Sequence, residues 1–253
     1  MIFNFIKNIL KIHKYINHNK KKFNQNKIIT KNFILVDQFN YYPSLIPLSH
    51  FIDRLRKKFD SNVYIYQTFV EKNFFQDIKN FFQDVNKFGY LNIYKSFGCI
   101  NKFYNKYDSS IVLEASNKLE EIYPKISSKD DILKIEIENI YIGDLLYDTF
   151  LITKKKPTID INNKEFKIFC FDFLKLFYFW KNYFETNSDN IKASIISHDT
   201  YHHALPLRFS IKFKIPCYHV AQGKIYFFSK EKIRKKTAYE EFPQIFENIN
   251  SEI

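Results

Sequence analysis

Two short apolar runs joined by one helix limit what this chain can fold into more than any other feature of its sequence. Residues 193–197 are too short for a helix and read as a strand buried on both faces. His198-Asp199-Thr200 follow as a polar turn, with Asp199 or Thr200 as N-cap of a helix over 201–213. In that helix Leu205, Phe209 and Phe213 recur every four residues and mark the packed face. Ile215-Pro216 stops it, residues 217–220 read as a second buried strand, and Gln222-Gly223 turns out of that strand. Strand, helix and strand make a βαβ unit, whose strands run parallel with a right-handed crossover because strands twist. Ligands of such sheets collect beyond the carboxyl ends of the strands. His198 stands at the first of those ends, and His219 to Lys224, with Gly223 among them, at the second.

The chain before this unit extends the same pattern. Residues 33–37 read as a buried strand ending in Asp37, and 38–43 as a loop. Leu48, Phe51, Ile52, Leu55 and Phe59 share one helical face, with Pro47 tolerated only in that helix's first turn. Residues 62–67 read as a strand, 74–85 as a helix and 90–94 as a third strand. This order predicts an α/β fold: a doubly wound, mostly parallel, Rossmann-like sheet. Gly89, Gly98, Gly143 and Gly223 are the four glycines, so there is no G-x-G-x-x-G turn and no P-loop. An NAD-dependent enzyme and a P-loop nucleotidase are set aside on that ground.

The middle of the chain is more helical. Ile111, Val112, Ala115, Leu119 and Ile122 mark a helix ended near Pro124, and residues 135–141 alternate as a short strand. Gly143 opens a helix carrying Asp144, Tyr147 and Asp148, and a long aromatic helix spans 166–184. Asp144 and Asp148 lie one turn apart, where like charges cost a helix about 0.2–0.5 kcal/mol. The positive N-terminal end offsets part of that for Asp144. The pair reads either as a solvated acidic face or as carboxylates that hold sugar hydroxyls or act as base on one.

Composition restricts partners less than its totals imply. A net charge of +12 over 253 residues would ordinarily point to nucleic acid or anionic membrane. The excess of Lys, Asn, Ile, Phe and Tyr with few glycines is the kind that AT-rich coding produces, so the charge is discounted. An Arg among so many Lys carries more information, and the arginines are Arg54, Arg56, Arg208 and Arg234. Cys99, Cys170 and Cys217 are too widely spaced for a zinc site and odd in number, so reduced thiols are expected. No run reaches the roughly 18 apolar residues of a membrane span. The start carries Phe5, Ile9, Ile12 and Ile16 at helical spacing with Lys between them, unlike a signal peptide. It reads as a basic amphipathic helix resting on a membrane surface or as a leader helix on the domain. The expected organisation is a leader and loop over 1–32, one domain over 33–240, and a terminal helix or linker over 241–253.

The run from Ile140 to Leu151, with its Gly143-Asp144-Leu145-Leu146-Tyr147-Asp148 centre, resembles a segment of bacterial glycosyltransferases of surface or capsular polysaccharide biosynthesis. In that family the stretch is followed some way on by a strand ending in Ser-His, a Tyr, an Arg within the helix and an Ile-Pro. Here these are Ser197-His198, Tyr201, Arg208 and Ile215-Pro216. Ala204-Leu205-Pro206-Leu207 stands before Arg208 where the resemblance calls for small residues. The resemblance implies the N-terminal, acceptor-side domain of a two-domain, GT-B-like enzyme. Its donor, a nucleotide sugar, would bind largely to a second domain that this chain does not contain. The chain alone is then expected not to transfer sugar. No cofactor is implied.

Candidate site residues follow from both lines. His198, with Asp144 and Asp148, is the candidate acid–base set. The competing reading of His198 is an imidazole bonded to its own turn. Asp37, Tyr147, Tyr201, Arg208 and Gly223 are candidate substrate contacts. Arg208 reads either as a fork on phosphate or acidic sugar, or as an ion pair with a sheet-edge carboxylate such as Asp37. Asp37 could equally cap the following helix. His202 and His203 are placed on the solvent side of their helix. His198-Asp199-Thr200-Tyr201-His202 imitates the H-E-x-x-H pattern, but one histidine ends a strand, so no metal is expected. The expected partner is a sugar or glycolipid acceptor at the cytosolic membrane face, without specific nucleic acid. The other class, a basic nucleic-acid-binding or scaffold protein, lacks any helix-turn-helix, RRM or zinc-finger spacing.

Overall fold

A computed structural model describes residues 2–23, 28–38, 42–71, 90–221 and 224–228. Its centre is a six-stranded sheet made of β1 (Phe33–Asp37), β2 (Asn62–Gln67), β3 (Cys99–Tyr104), β6 (Ile191–Ile196), β7 (Cys217–Ala221) and β8 (Lys224–Phe228). The strands lie in the order β3-β2-β1-β6-β7-β8. All neighbours are parallel except β7 and β8, which form an antiparallel hairpin. A separate two-stranded hairpin, β4 (Glu136–Ile137) and β5 (Ile140–Tyr141), turns at Glu138 and Asn139, both left-handed at φ 51° and 64°. The α/β order, with helices on both faces, is compatible with a Rossmann-like fold.

Alternation along the strands sorts the core into two layers. Ile34, Val36, Val63, Ile65, Ala193 and Ile195 face α1 (Ile2–Lys22), α2 (Tyr42–Phe59) and α3 (Tyr90–Lys95). Phe33, Leu35 and Tyr66 face the opposite layer. That layer holds α4 (Ser109–Ile122), α5 (Lys129–Leu133), α6 (Gly143–Lys154), α7 (Lys164–Asn187) and α8 (Leu205–Lys212). The aromatic helix α7 brings Phe169, Phe173, Phe177, Trp180 and Phe184 into this core, all fully buried. Trp180 meets the Tyr66 ring edge-on at 4.7 Å.

Several local expectations change. Residues 90–94, expected as a strand, form α3, because Ile93, Tyr94 and Phe97 fall on one helical face and are buried. Gly98, at φ 100°, ends that turn, and the third strand follows it as β3. Pro47 lies inside α2 rather than in its first turn. Burial of Leu45, Leu48 and Ile52 holds α2 on the sheet despite the backbone bond that proline lacks. Neither Asp199 nor Thr200 caps a helix with its side chain. Tyr201 takes a left-handed φ of 57° and opens a short 3-10 turn, Tyr201–Ala204, before α8 starts. Beyond Gln222-Gly223 the chain continues as a further strand, β8, that the sequence pattern did not announce. The helix expected over 74–85 and the terminal segment 241–253 lie outside the described residues.

The first helix docks on the domain. Ile16 and Phe23 are buried beside α2 and α3, and the Tyr15 hydroxyl donates to the Leu45 carbonyl at 2.8 Å. Asn19 donates to Ser96 Oγ at 3.0 Å. Its apolar face over these residues therefore belongs to the domain core. Among the described residues, no helix is long and apolar enough to cross a membrane.

Candidate functional site

The sheet order places one crevice where chain direction diverges. From β1 the chain winds outward through β2 and β3, and from β6 it winds the other way through β7. Adjacent β1 and β6 thus flank the switch point at which α/β sheets leave room for ligands. β1 ends in Asp37, and β6 runs into Ser197 and His198.

Asp37 is 1% exposed, and a carboxylate so placed requires donors. Ser197 supplies two: its backbone N–H donates to Asp37 Oδ2 at 3.3 Å, and its hydroxyl donates to the same oxygen. His203 Nδ1 lies 3.4 Å from that oxygen. On the outer side of Ser197, His198 Nδ1 is 3.0 Å from the hydroxyl, while the His198 residue itself is exposed. The His198 and His203 rings stand 5.6 Å apart, and His202 lies 4.1 Å from His203. His202 and His203, expected on the solvent side, are half-buried. The 3-10 turn rotates them inward, His203 toward the buried carboxylate and His202 toward the backbone of Thr68.

The three imidazoles sit in different fields. Desolvation, then the charge of His203, holds His198 below the ordinary histidine range, despite Asp37 and Asp199 nearby. His198 is thus an unprotonated base near neutral pH. Burial drives His202 down to about 3, with His203 adding to the effect. Burial opposes charge on His203 as well, but contact with Asp37 outweighs it and raises His203. His198, behind Ser197, and His203, against Asp37, are thus shifted in opposite directions.

These shifts predict an acid-labile site. His202 has a folded pKa below its unfolded value, so the unfolded chain binds the proton first as pH falls. The stability contributed by its neutral form is complete above about 6.5 and declines as pH drops toward about 3. Urea midpoints measured across that window should fall, and His202→Gln should flatten the decline. An unchanged slope in the variant would place the titration elsewhere.

The other candidates are placed as follows. α6 packs against the Tyr201–Ala204 turn, and Asp144 in its first turn is tied to Arg208 of α8, the helix that follows that turn. Arg208 is 7% exposed, and its fork is occupied: Nη2 donates to Asp144 Oδ2 at 2.6 Å and Nη1 to the Tyr141 carbonyl at 2.8 Å. Its ion pair is with Asp144, whereas the expected sheet-edge partner Asp37 is taken by Ser197 and His203. Tyr147 is buried with Lys129 Nζ 4.9 Å above its ring, and Asp148 is half-buried. Tyr201 is half-buried at the start of the 3-10 turn. Gly223 lies outside the described residues. His198 and His202 do not share a helix, and among the described residues no three or more His, Cys, Asp or Glu side chains are arranged so that they could hold a metal ion.

Sequence reasoning missed Ser197 and His203. Their signal is positional: the carboxylate ending one strand and the polar turn after a distant strand become neighbours only once β1 and β6 pair. Searches of protein-family models, curated proteins and solved structures gave no match to the chain.

Proposed function

We propose that the chain is the acceptor-side, Rossmann-like domain of a GT-B-like glycosyltransferase of surface polysaccharide biosynthesis, with His198 as the base on the acceptor. The observation that carries this reading is an exposed imidazole at the β1/β6 switch point, backed by Ser197 and the buried Asp37 and shifted toward its neutral form by desolvation. The likeness of the 140–151 segment and of Ser197-His198, Tyr201 and Arg208 to such enzymes adds the substrate class.

In the reaction, an acceptor hydroxyl transfers its proton to His198 while its oxygen forms the bond to the anomeric carbon of a nucleotide sugar. The bond from that carbon to the donor phosphate breaks, and the nucleotide leaves with the electron pair. General-base assistance of this kind contributes typically 10²–10⁴-fold to rate. Arg208 and Asp144 brace the wall beside the acceptor, and Tyr201 borders the opening. The acceptor is a sugar or glycolipid. The basic end of α1, Lys20 to Lys22, suits a peripheral position at the cytosolic face of a membrane.

The test is whether oligosaccharides bind at this edge. Titration of the ¹⁵N-labelled chain with an acceptor panel should move amide resonances around His198, and a panel that moves none would count against the proposal.

A further inference from the structure

We propose that Asp37 and Ser197 are positioning residues that lock His198 in the tautomer carrying its proton on Nδ1, leaving Nε2 as the nitrogen that accepts the substrate proton. This rests on the assignment of His198 as base, and it gives the strand-end carboxylate a role behind the imidazole rather than on the substrate.

The order of the three groups decides the tautomer. A serine hydroxyl has one proton to donate. Asp37 is buried and acceptor-only as a carboxylate, and Ser197 directs its hydroxyl proton to Asp37 Oδ2. The hydroxyl oxygen then has only lone pairs to offer His198 Nδ1, 3.0 Å away, so Nδ1 must be the donor. If Ser197 turned its proton to His198 instead, the buried carboxylate would lose a charge-assisted bond and keep the Ser197 N–H at 3.3 Å and the contact with His203. Exposed neutral histidine side chains in water favour the opposite tautomer, with the proton on Nε2. The arrangement therefore works against the intrinsic preference, and loss of the serine hydroxyl should let that preference return. Ser197 lies at the end of a buried strand and is 8% exposed, so its hydroxyl is held by the sheet and not by a mobile loop. Asp199, His202, His203 and His219, the other titratable groups coupled to His198, make no hydrogen bond to its Nδ1 among the described residues.

Nitrogen-15 NMR of the imidazoles reads the tautomer directly, with the His198 signals assigned by their loss in His198→Asn. In the unmodified chain, at a pH where the ring is neutral, Nδ1 should resonate as a protonated, pyrrole-type nitrogen and Nε2 as pyridine-type. Ser197→Ala should shift the population to the Nε2-protonated form, and Ser197→Thr, which restores a hydroxyl, should return it. An Nε2-protonated His198 in the unmodified chain, or no change in Ser197→Ala, would overturn the proposal. The readout needs no turnover. A chain with the stated tautomer that binds no acceptor would leave the relay standing and remove the glycosyltransferase reading.

Discussion

Gly143→Ala is expected to destabilise the chain by about 3 kcal/mol, the upper range for overpacking a tight contact. A Cβ at this position would lie 2.1 Å from the Ile132 carbonyl oxygen and 2.7 Å from that of Leu133. Both are backbone atoms at the end of α5, so no side-chain rotation can relieve the clash. The same turn is fixed from the other side, where the Gly143 N–H donates to the Ile135 carbonyl at 3.1 Å. α5 and α6 would have to separate, which would disturb the buried Ile132, Leu145 and Leu146. Thermal unfolding should register a loss of roughly 6–12 °C, at about 2–4 °C per kcal/mol for a chain of this size. A midpoint within 2 °C of the parent would mean that this approach is looser than described. The glycine of the Gly-Asp-Leu-Leu-Tyr-Asp segment is thus accounted for by helix packing, without a ligand.

The second large effect is expected at Arg208. Its guanidinium joins three elements: α8 that carries it, the Tyr141 carbonyl of β5 and Asp144 in the first turn of α6. The Tyr141 ring lies 5.4 Å below it. Arg208→Ala leaves Asp144 without its countercharge, a change that costs about 3–5 kcal/mol for a buried pair. Because the Asp144 side chain is 26% exposed, water can partly replace the arginine, and the lower end of that range applies. Arg208→Lys keeps the charge but cannot reach both acceptors with a planar fork. It should therefore recover only part of the loss. A double-mutant cycle with Asp144→Ala, read by chemical denaturation, should show coupling of 1 kcal/mol or more, within the usual range of about 0.5–3 kcal/mol for contacting groups. Additive effects would mean that the ion pair does not hold α6 to α8. Unchanged stability with loss of ligand binding would return Arg208 to the role of a substrate fork.

Much of this architecture was legible because its strands are short, apolar and separated by helices with clear periodicity. The runs ending at Asp37, Gln67 and Ser197 needed only local pattern, and the parallel pairing of β1 with β2 and of β6 with β7 follows from the βαβ rule. Local pattern failed where two structures share one composition. Residues 90–94 are as aromatic and β-branched as a strand, and only burial of Ile93, Tyr94 and Phe97 on one face made them helical. β8 was hidden because its residues 225–227 stay largely exposed on a sheet edge, without the alternation that marks a half-buried strand. The candidate site divided in the same way. His198 followed from its place at a strand end, whereas Ser197 and His203 acquire meaning only beside Asp37, 160 positions before Ser197 in the chain. Arg208 was conspicuous as a rare arginine, but its partner depended on a helix docking that no local pattern fixes.

The central claim is that the β1/β6 crevice holds a carbohydrate acceptor with its hydroxyl against His198. Amide-resonance mapping of the ¹⁵N-labelled chain tests it most directly, with oligosaccharide acceptors in one series and duplex DNA in another. The account predicts saturable shifts from an oligosaccharide at Gln38 and at Ser197 through Tyr201, little change in β3 or α1, and loss of the His198 response in His198→Gln without loss of fold. Shifts produced by DNA along the lysines of α1, with none from any oligosaccharide at the crevice, would contradict it.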